Sequence, residues 1–171
     1  MANVNDFLGK LKNGLRANRY KVIINVPAGV TGDSQTISLM VRAATVPSME
    51  TGSQEILFKG ETINVSGNSR RPAGEWAVTG ALNGGQNPAE FKKLADTWQN
   101  LSFTSSDPTE YYGDATIEVL TPDTNETTVL KYKLSGLWLA NSGELSLSDD
   151  TTDEMFTIEL SFKYNLVEPV A

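Results

Sequence analysis

The chain has 171 residues, 39% of them hydrophobic, a formal net charge of −7, and neither cysteine nor histidine. Without cysteine there are no disulfides, thiolate nucleophiles or thiolate-held metal sites; without histidine the commonest general base, a Ser-His-Asp triad and most zinc or copper sites are excluded too. Carboxylates, lysines, tyrosines and hydroxyls remain, a short catalytic menu on which glycosidases are the main possibility.

In chain order, Phe7, Leu8, Leu11 and Leu15 form a short amphipathic pattern that predicts a turn or two of helix. Tyr20, Val22, Ile24 and Val26 alternate with polar residues and predict a strand ended by Pro27. Ile37, Leu39 and Val41 predict another before Pro47. Ser48 to Gly74 holds strand-like stretches at Ile56–Phe58 and Thr62–Val65 around a Lys59-Gly60 turn, then a polar run to Pro72. It reads either as an ordinary surface hairpin or as an extended arm reaching off the body. A strand follows at Trp76–Leu82.

Asn87 as N-cap, Pro88 in the first turn and Glu90 then predict a helix over 87–101, with Phe91, Leu94, Ala95, Trp98 and Leu101 on one side. Ala115–Leu120 reads as a strand. Leu130, Tyr132 and Leu134 alternate until Gly136, after which Leu137 and Leu139 continue on a shifted phase, the mark of a β-bulge. A weak strand is expected at Glu144–Leu147. Phe156, Ile158, Leu160, Phe162, Tyr164 and Leu166 predict one long strand whose polar face carries Thr157, Glu159, Ser161 and Lys163. The expected fold is mainly β: two packed antiparallel sheets, sandwich or barrel-like, with one α-helix and an extended hairpin arm, in one domain over 1–171.

No stretch approaches ~20 apolar residues, so no membrane span is expected. Lys10, Lys12, Arg16 and Arg19 interrupt the N-terminal segment and argue against a signal peptide, which points to folding in a cytoplasm. Residues 1–71 hold nine basic and five acidic side chains, residues 72–171 five and sixteen. An acidic chain lacks the basic stripe of a nucleic-acid binder. The asymmetry either keeps the protein soluble or lets opposite charges meet between identical copies.

Several clusters invite a chemical reading. Asp149, Asp150, Asp153 and Glu154 resemble a calcium loop in composition but lack the spacing and glycine of an EF-hand. Asp107, Glu110, Tyr111, Tyr112 and Asp114 suggest a sugar site, against which stands a plain polar loop before a strand. Asn83-Gly84-Gly85-Gln86 lacks the Gly-Lys-Ser/Thr ending of a phosphate loop. Arg70-Arg71 is too small a basic patch for nucleic acid and suits carboxylates on a neighbouring molecule. No catalytic residue, cofactor or metal ligand is assigned.

Taken in order, these features resemble the tail tube proteins of contractile-tailed bacteriophages, whose fold is shared with the type VI secretion tube protein. The resemblance rests on Asp6-Phe7-Leu8-Gly9, on Ala17-Asn18-Arg19-Tyr20-Lys21-Val22 and on Val41-Arg42-Ala43-Ala44-Thr45-Val46-Pro47-Ser48. It continues through Arg70-Arg71-Pro72-Ala73-Gly74-Glu75-Trp76, the helix from Phe91 to Trp98, and the strands Leu134–Ala140 and Met155–Leu166. The Ala81–Gln86 stretch departs from the longer strand and acidic turn frequent in that family.

The resemblance implies a structural virion protein rather than an enzyme. Six copies would form a ring around a channel, and rings would stack head to tail into the inner tail tube. The arm over 48–74 would reach the next ring, with Glu55, Phe58, Lys59, Arg70 and Arg71 as contact candidates. Thr157, Glu159, Ser161 and Lys163 would line the channel or face outward. Implied partners are further copies, the tail sheath, the tape measure protein, and baseplate and tail terminator proteins; genomic DNA would pass without specific binding. Assembly in the host bacterial cytoplasm would deliver it to the virion. Two alternatives stay open: the tube of a type VI secretion or phage-derived injection system, and a monomeric carbohydrate-binding β-sandwich.

Overall fold

The computed structural model describes residues 4, 15–32, 34–82, 89–122, 125–145, 147 and 155–171. Nine strands and three helices are described. They are β1 (Tyr20–Asn25), α1 (Ser34–Met40), β2 (Val41–Ala44), β3 (Met49–Phe58), β4 (Glu61–Pro72) and β5 (Trp76–Ala81). After them come α2 (Glu90–Thr104), α3 (Pro108–Tyr111), β6 (Gly113–Leu120), β7 (Thr128–Asn141), β8 (Thr157–Lys163) and β9 (Leu166–Pro169). The protein is mainly β, as its alternating pattern predicts.

Seven strands run in the order β1-β6-β7-β8-β5-β2, with β9 also on β7; β3 and β4 pair only with each other. Every pairing is antiparallel. The strand β7 belongs to two layers. Its first half lies between β6 and β9, and its second half pairs with β8. The change occurs at Gly136, where φ is 65°. Ser135 and Leu137 oppose the consecutive residues Asp114 and Gly113, so Gly136 is the extra residue of a bulge.

The single long strand expected over Phe156–Leu166 is instead two. β8 ends at Lys163 and β9 begins at Leu166, with the Asn165 N–H donating to the Ser135 carbonyl at 3.0 Å. Both partners turn the corner together, because a flat strand cannot follow β7 from one layer into the next. A Cβ on Gly136 would sit 2.3 Å from the Asn165 Nδ2, so glycine is required there for space as well as backbone.

The strand expected at Ile37–Val41 is also overturned: Ser34–Met40 is helical and only Val41–Ala44 is extended. Ile37 is fully buried while Leu39 is 78% exposed, so the apolar pair does not share a face. The helix is held by a tertiary demand. Ser38 Oγ accepts the Ile24 N–H at 3.0 Å and Ser34 Oγ accepts the Val26 N–H at 3.3 Å, so hydroxyls four residues apart satisfy the free edge of β1. Glu144, Leu145 and Leu147 lie outside any strand, contrary to expectation.

The core lies between the curved sheet and α2. Phe91, Leu94, Ala95 and Trp98 of the helix are buried. Trp98 and Trp76 flank Phe162 with ring centroids 5.4 and 5.5 Å away. Each indole N–H finds a carbonyl, Trp76 that of Thr45 at 2.7 Å and Trp98 that of Tyr111 at 2.9 Å. The helix starts at Glu90 after Ala89, a left-handed residue (φ 56°) whose methyl side chain cannot cap it, and runs to Thr104. Asn87 and Pro88, expected to open it, lie outside the described residues, as do Phe7, Leu8 and Leu11.

Candidate assembly surfaces

The hairpin β3–β4 is the most exposed of the described elements. Ten residues in β3 give it a reach of roughly 33 Å at 3.3 Å per residue. Lys59 and Gly60 have φ of 50° and 84°, both positive as a two-residue type I′ turn demands. At the root, the Ser48 carbonyl accepts from the Ala73 N–H at 3.1 Å and from the Tyr164 hydroxyl at 2.8 Å. Burial pushes the Tyr164 hydroxyl above its ordinary pKa, partly opposed by a backbone hydrogen bond at Ala73.

The hairpin is divided. Thr51 pairs with Arg70 and Ser53 with Ser66, so Gly52 alone opposes Gly67, Asn68 and Ser69. A Cβ on Gly67 would lie 3.1 Å from the Gly52 carbonyl oxygen, so this bulge depends on close backbone approach. Beyond it, Ile56 faces Ile63, Gln54 faces Val65 and Phe58 faces Glu61. Period-2 geometry puts Ile56, Phe58, Ile63 and Val65 on one face, between 37% and 57% exposed. The other face carries Glu55, Asn64 and Thr62, with Leu57 near the tip. A two-stranded hairpin is marginal in water, and among the described residues nothing buries the apolar side of this one.

The residues read as contact candidates all map to this hairpin but form two groups. Glu55, Phe58 and Lys59 are in the distal blade, where the Lys59 ammonium lies 5.4 Å from the Phe58 ring centroid. Arg70 and Arg71 are at the root, roughly 25 Å away along the strand. The Arg71 Nε donates to Glu50 across the hairpin at 3.1 Å, an exposed pair of small energetic weight. Sequence reasoning missed Ile63 and Val65 as surface residues; their alternation was visible, but nothing in it told which face meets solvent.

Thr157, Glu159 and Lys163 are exposed on β8 and Ser161 is half-buried, while Ile158, Leu160 and Phe162 point into the core. Their cross-strand neighbours on β5 are small: Ala77 beside Ser161 and Thr79 beside Glu159. Lys163 lies 5.7 Å over the Trp138 ring and 3.8 Å from Glu75. The result is a low-relief polar face with opposite charges at Glu159 and Lys163.

The cluster weighed as a sugar site against a plain polar loop has structural duties. Asp107 caps α3 by accepting from the Thr109 N–H at 2.9 Å and its hydroxyl at 2.8 Å, which lowers its pKa. Glu110 accepts from Ser105, and Asp114 accepts from Asn25 at 2.9 Å. The Tyr111 and Tyr112 rings meet edge to face, 5.1 Å apart, rather than forming a flat platform. Asn83–Gln86 and the cluster at 149–154 lie outside the described residues; among those described, no group of acidic side chains is arranged to hold a metal ion.

No protein-family model matches the chain. It is 27% identical over 170 residues to the tail tube protein of Serratia phage KSP90, an alignment covering 95% of each. With tail tube protein gp19 of Enterobacteria phage T4 it shares 28% over 133 residues, 74% of this chain and 78% of that one. The tube–sheath complex of the extracellular contractile injection system PVC, in its extended state, contains a chain of the same fold. The TM-score is 0.61 at 14% identity, covering 100% of this chain and 99% of that one. The resemblance read from the sequence is thus present in sequence and in fold.

Proposed function

We propose that this chain is the structural subunit of a phage tail tube: copies close into six-membered rings, and rings stack head to tail around a channel. The observation that carries this reading is the end-to-end similarity to a phage tail tube protein. The exposed hairpin supports it, since a blade with an uncovered apolar face gains stability only against another molecule.

In this reading the low-relief face of β5 and β8, with Thr157, Glu159, Ser161 and Lys163, lines the channel. Small polar groups with balanced charge offer phosphates no continuous basic track, so DNA slides through rather than binding. A tape measure protein occupies the channel first; the sheath surrounds the tube, and baseplate and terminator proteins close its ends. Assembly occurs in the host cytoplasm and the product resides in the virion. The role is not catalytic, and the whole chain acts as one unit with the hairpin as its projecting arm. A second reading, the tube of a contractile injection system, is favoured by the fold shared with the PVC chain and differs in cargo.

Negative-stain electron microscopy of purified protein, beside size-exclusion chromatography across concentrations, tests the proposal. Hollow stacked rings with six-fold symmetry are expected. A protein that stays monomeric at every concentration and does not extend from purified baseplates overturns it.

A further inference from the structure

The hairpin is built in two pieces. Its root pairs Met49 with Pro72, Glu50 with Arg71 and Thr51 with Arg70, and its blade runs from Ser53 opposite Ser66 to Phe58 opposite Glu61. Between the last root pair and the first blade pair, β3 advances by two residues and β4 by four. An excess of one residue would turn every later side chain of β4 to the other face, whereas an excess of two leaves the alternation in phase. The extra residues therefore correct no mismatch of faces. What they change is the direction of the blade and the continuity of the ladder.

The two strands cross at glycine on both sides. A Cβ on Gly67 would lie 3.1 Å from the Gly52 carbonyl oxygen and 3.2 Å from its carbonyl carbon, so backbone passes directly over backbone there. Neither glycine has a side chain that could lock the crossing angle. The root is fixed to the body through Ser48, which accepts from Ala73 and Tyr164, and is braced across by the Arg71–Glu50 pair. In the blade every residue from Ser53 to Ser66 is exposed, so no packing against the body sets its direction.

We infer that Gly52 and the segment 67–69 form an elbow, about which the blade turns as one piece while the root and the two layers stay still. Ser53–Phe58 spans roughly 20 Å, so a swing of about 30° carries the tip through about 10 Å. The apolar face of Ile56, Phe58, Ile63 and Val65 is thereby aimed independently of the body that carries it. This is a property of the single subunit and holds whatever cargo the assembled protein conducts.

Distances between paired spin labels test the elbow, and the absence of native cysteine makes the labelling specific. Full-length, unassembled protein carries Thr62→Cys on the blade and Thr104→Cys on α2, both exposed positions. Ser53→Cys with Glu61→Cys, both within the blade and exposed, supplies the reference width. The blade-to-body distribution should spread over about 10 Å, several times the reference. Deleting Asn68 and Ser69 leaves Gly67 opposite Gly52 in a continuous ladder and should narrow the spread to the reference width. A narrow blade-to-body distribution in the full-length protein overturns the elbow. So does a spread that survives the deletion in a folded variant, and so does a reference pair equally broad, which would mean that the blade frays rather than turns. Should the deletion variant not fold, the full-length comparison with the reference pair decides alone.

Discussion

Gly80 gives the sharpest test of how the helix is seated on the sheet. It sits in β5, and a Cβ built there would lie 2.2 Å from Phe91 Cζ and 2.3 Å from Cε1. Phe91 is fully buried on α2, so the ring has no solvent to retreat into. Gly80 is an ordinary strand residue without positive φ, so the penalty of Gly80→Ala is steric rather than conformational. Overpacking of this kind costs about 1–3 kcal/mol. For a domain of this size that lowers Tm by roughly 2–12 °C, at ~2–4 °C per kcal/mol. Urea titration of unassembled protein, with circular dichroism as readout, measures it. Phe91→Leu alone should destabilise by opening a void. Combined with Gly80→Ala it should cost less than the sum of the singles, with a coupling of about 0.5–3 kcal/mol. A neutral Gly80→Ala, or strict additivity, refutes the proposed seating of Phe91 against Gly80.

Other consequences follow from single contacts. Tyr164→Phe removes one of two donors to the Ser48 carbonyl and should cost about 0.5–1.5 kcal/mol, read by urea titration, with faster amide exchange in the hairpin. Because the folded pKa of Tyr164 is raised above 10.0, the unfolded state releases its proton first as pH climbs. Stability therefore holds below about pH 10 and declines above it, and the phenylalanine variant should lack this share of the decline. Ser38→Ala strands the Ile24 N–H beside a buried side chain and should cost about 1–3 kcal/mol in the same titration. Lys59→Asn, better suited to φ of 50°, should slow exchange of the hairpin amides without altering the body. Ile56→Thr with Phe58→Thr keeps strand-forming residues and adds no charge opposite Glu61, so monomer stability should change by no more than about 1 kcal/mol, yet tubes should be lost by microscopy.

Much of this protein is legible in its sequence, because period-2 alternation is a local property of each strand. Tyr20–Asn25, Trp76–Ala81 and Gly113–Leu120 emerge close to their predicted bounds. So does the phase change at Gly136, since a bulge displaces every later side chain and leaves its mark in the chain itself. The absence of histidine and cysteine likewise narrowed the chemistry before any coordinate was known.

Tertiary structure decided the rest. Ser34–Met40 is a helix because the edge of β1 needs hydroxyl acceptors, a demand made by a distant segment. The strand after Phe156 breaks at Tyr164–Asn165 because β7 changes layers opposite it. The hairpin shows the limit most clearly. Ile56, Phe58, Ile63 and Val65 have the same alternation as core residues, and only the three-dimensional fold reveals that they stay 37–57% exposed and that none of the described elements buries them. Alternation says that a strand has two unlike faces; which face is buried depends on what packs against it.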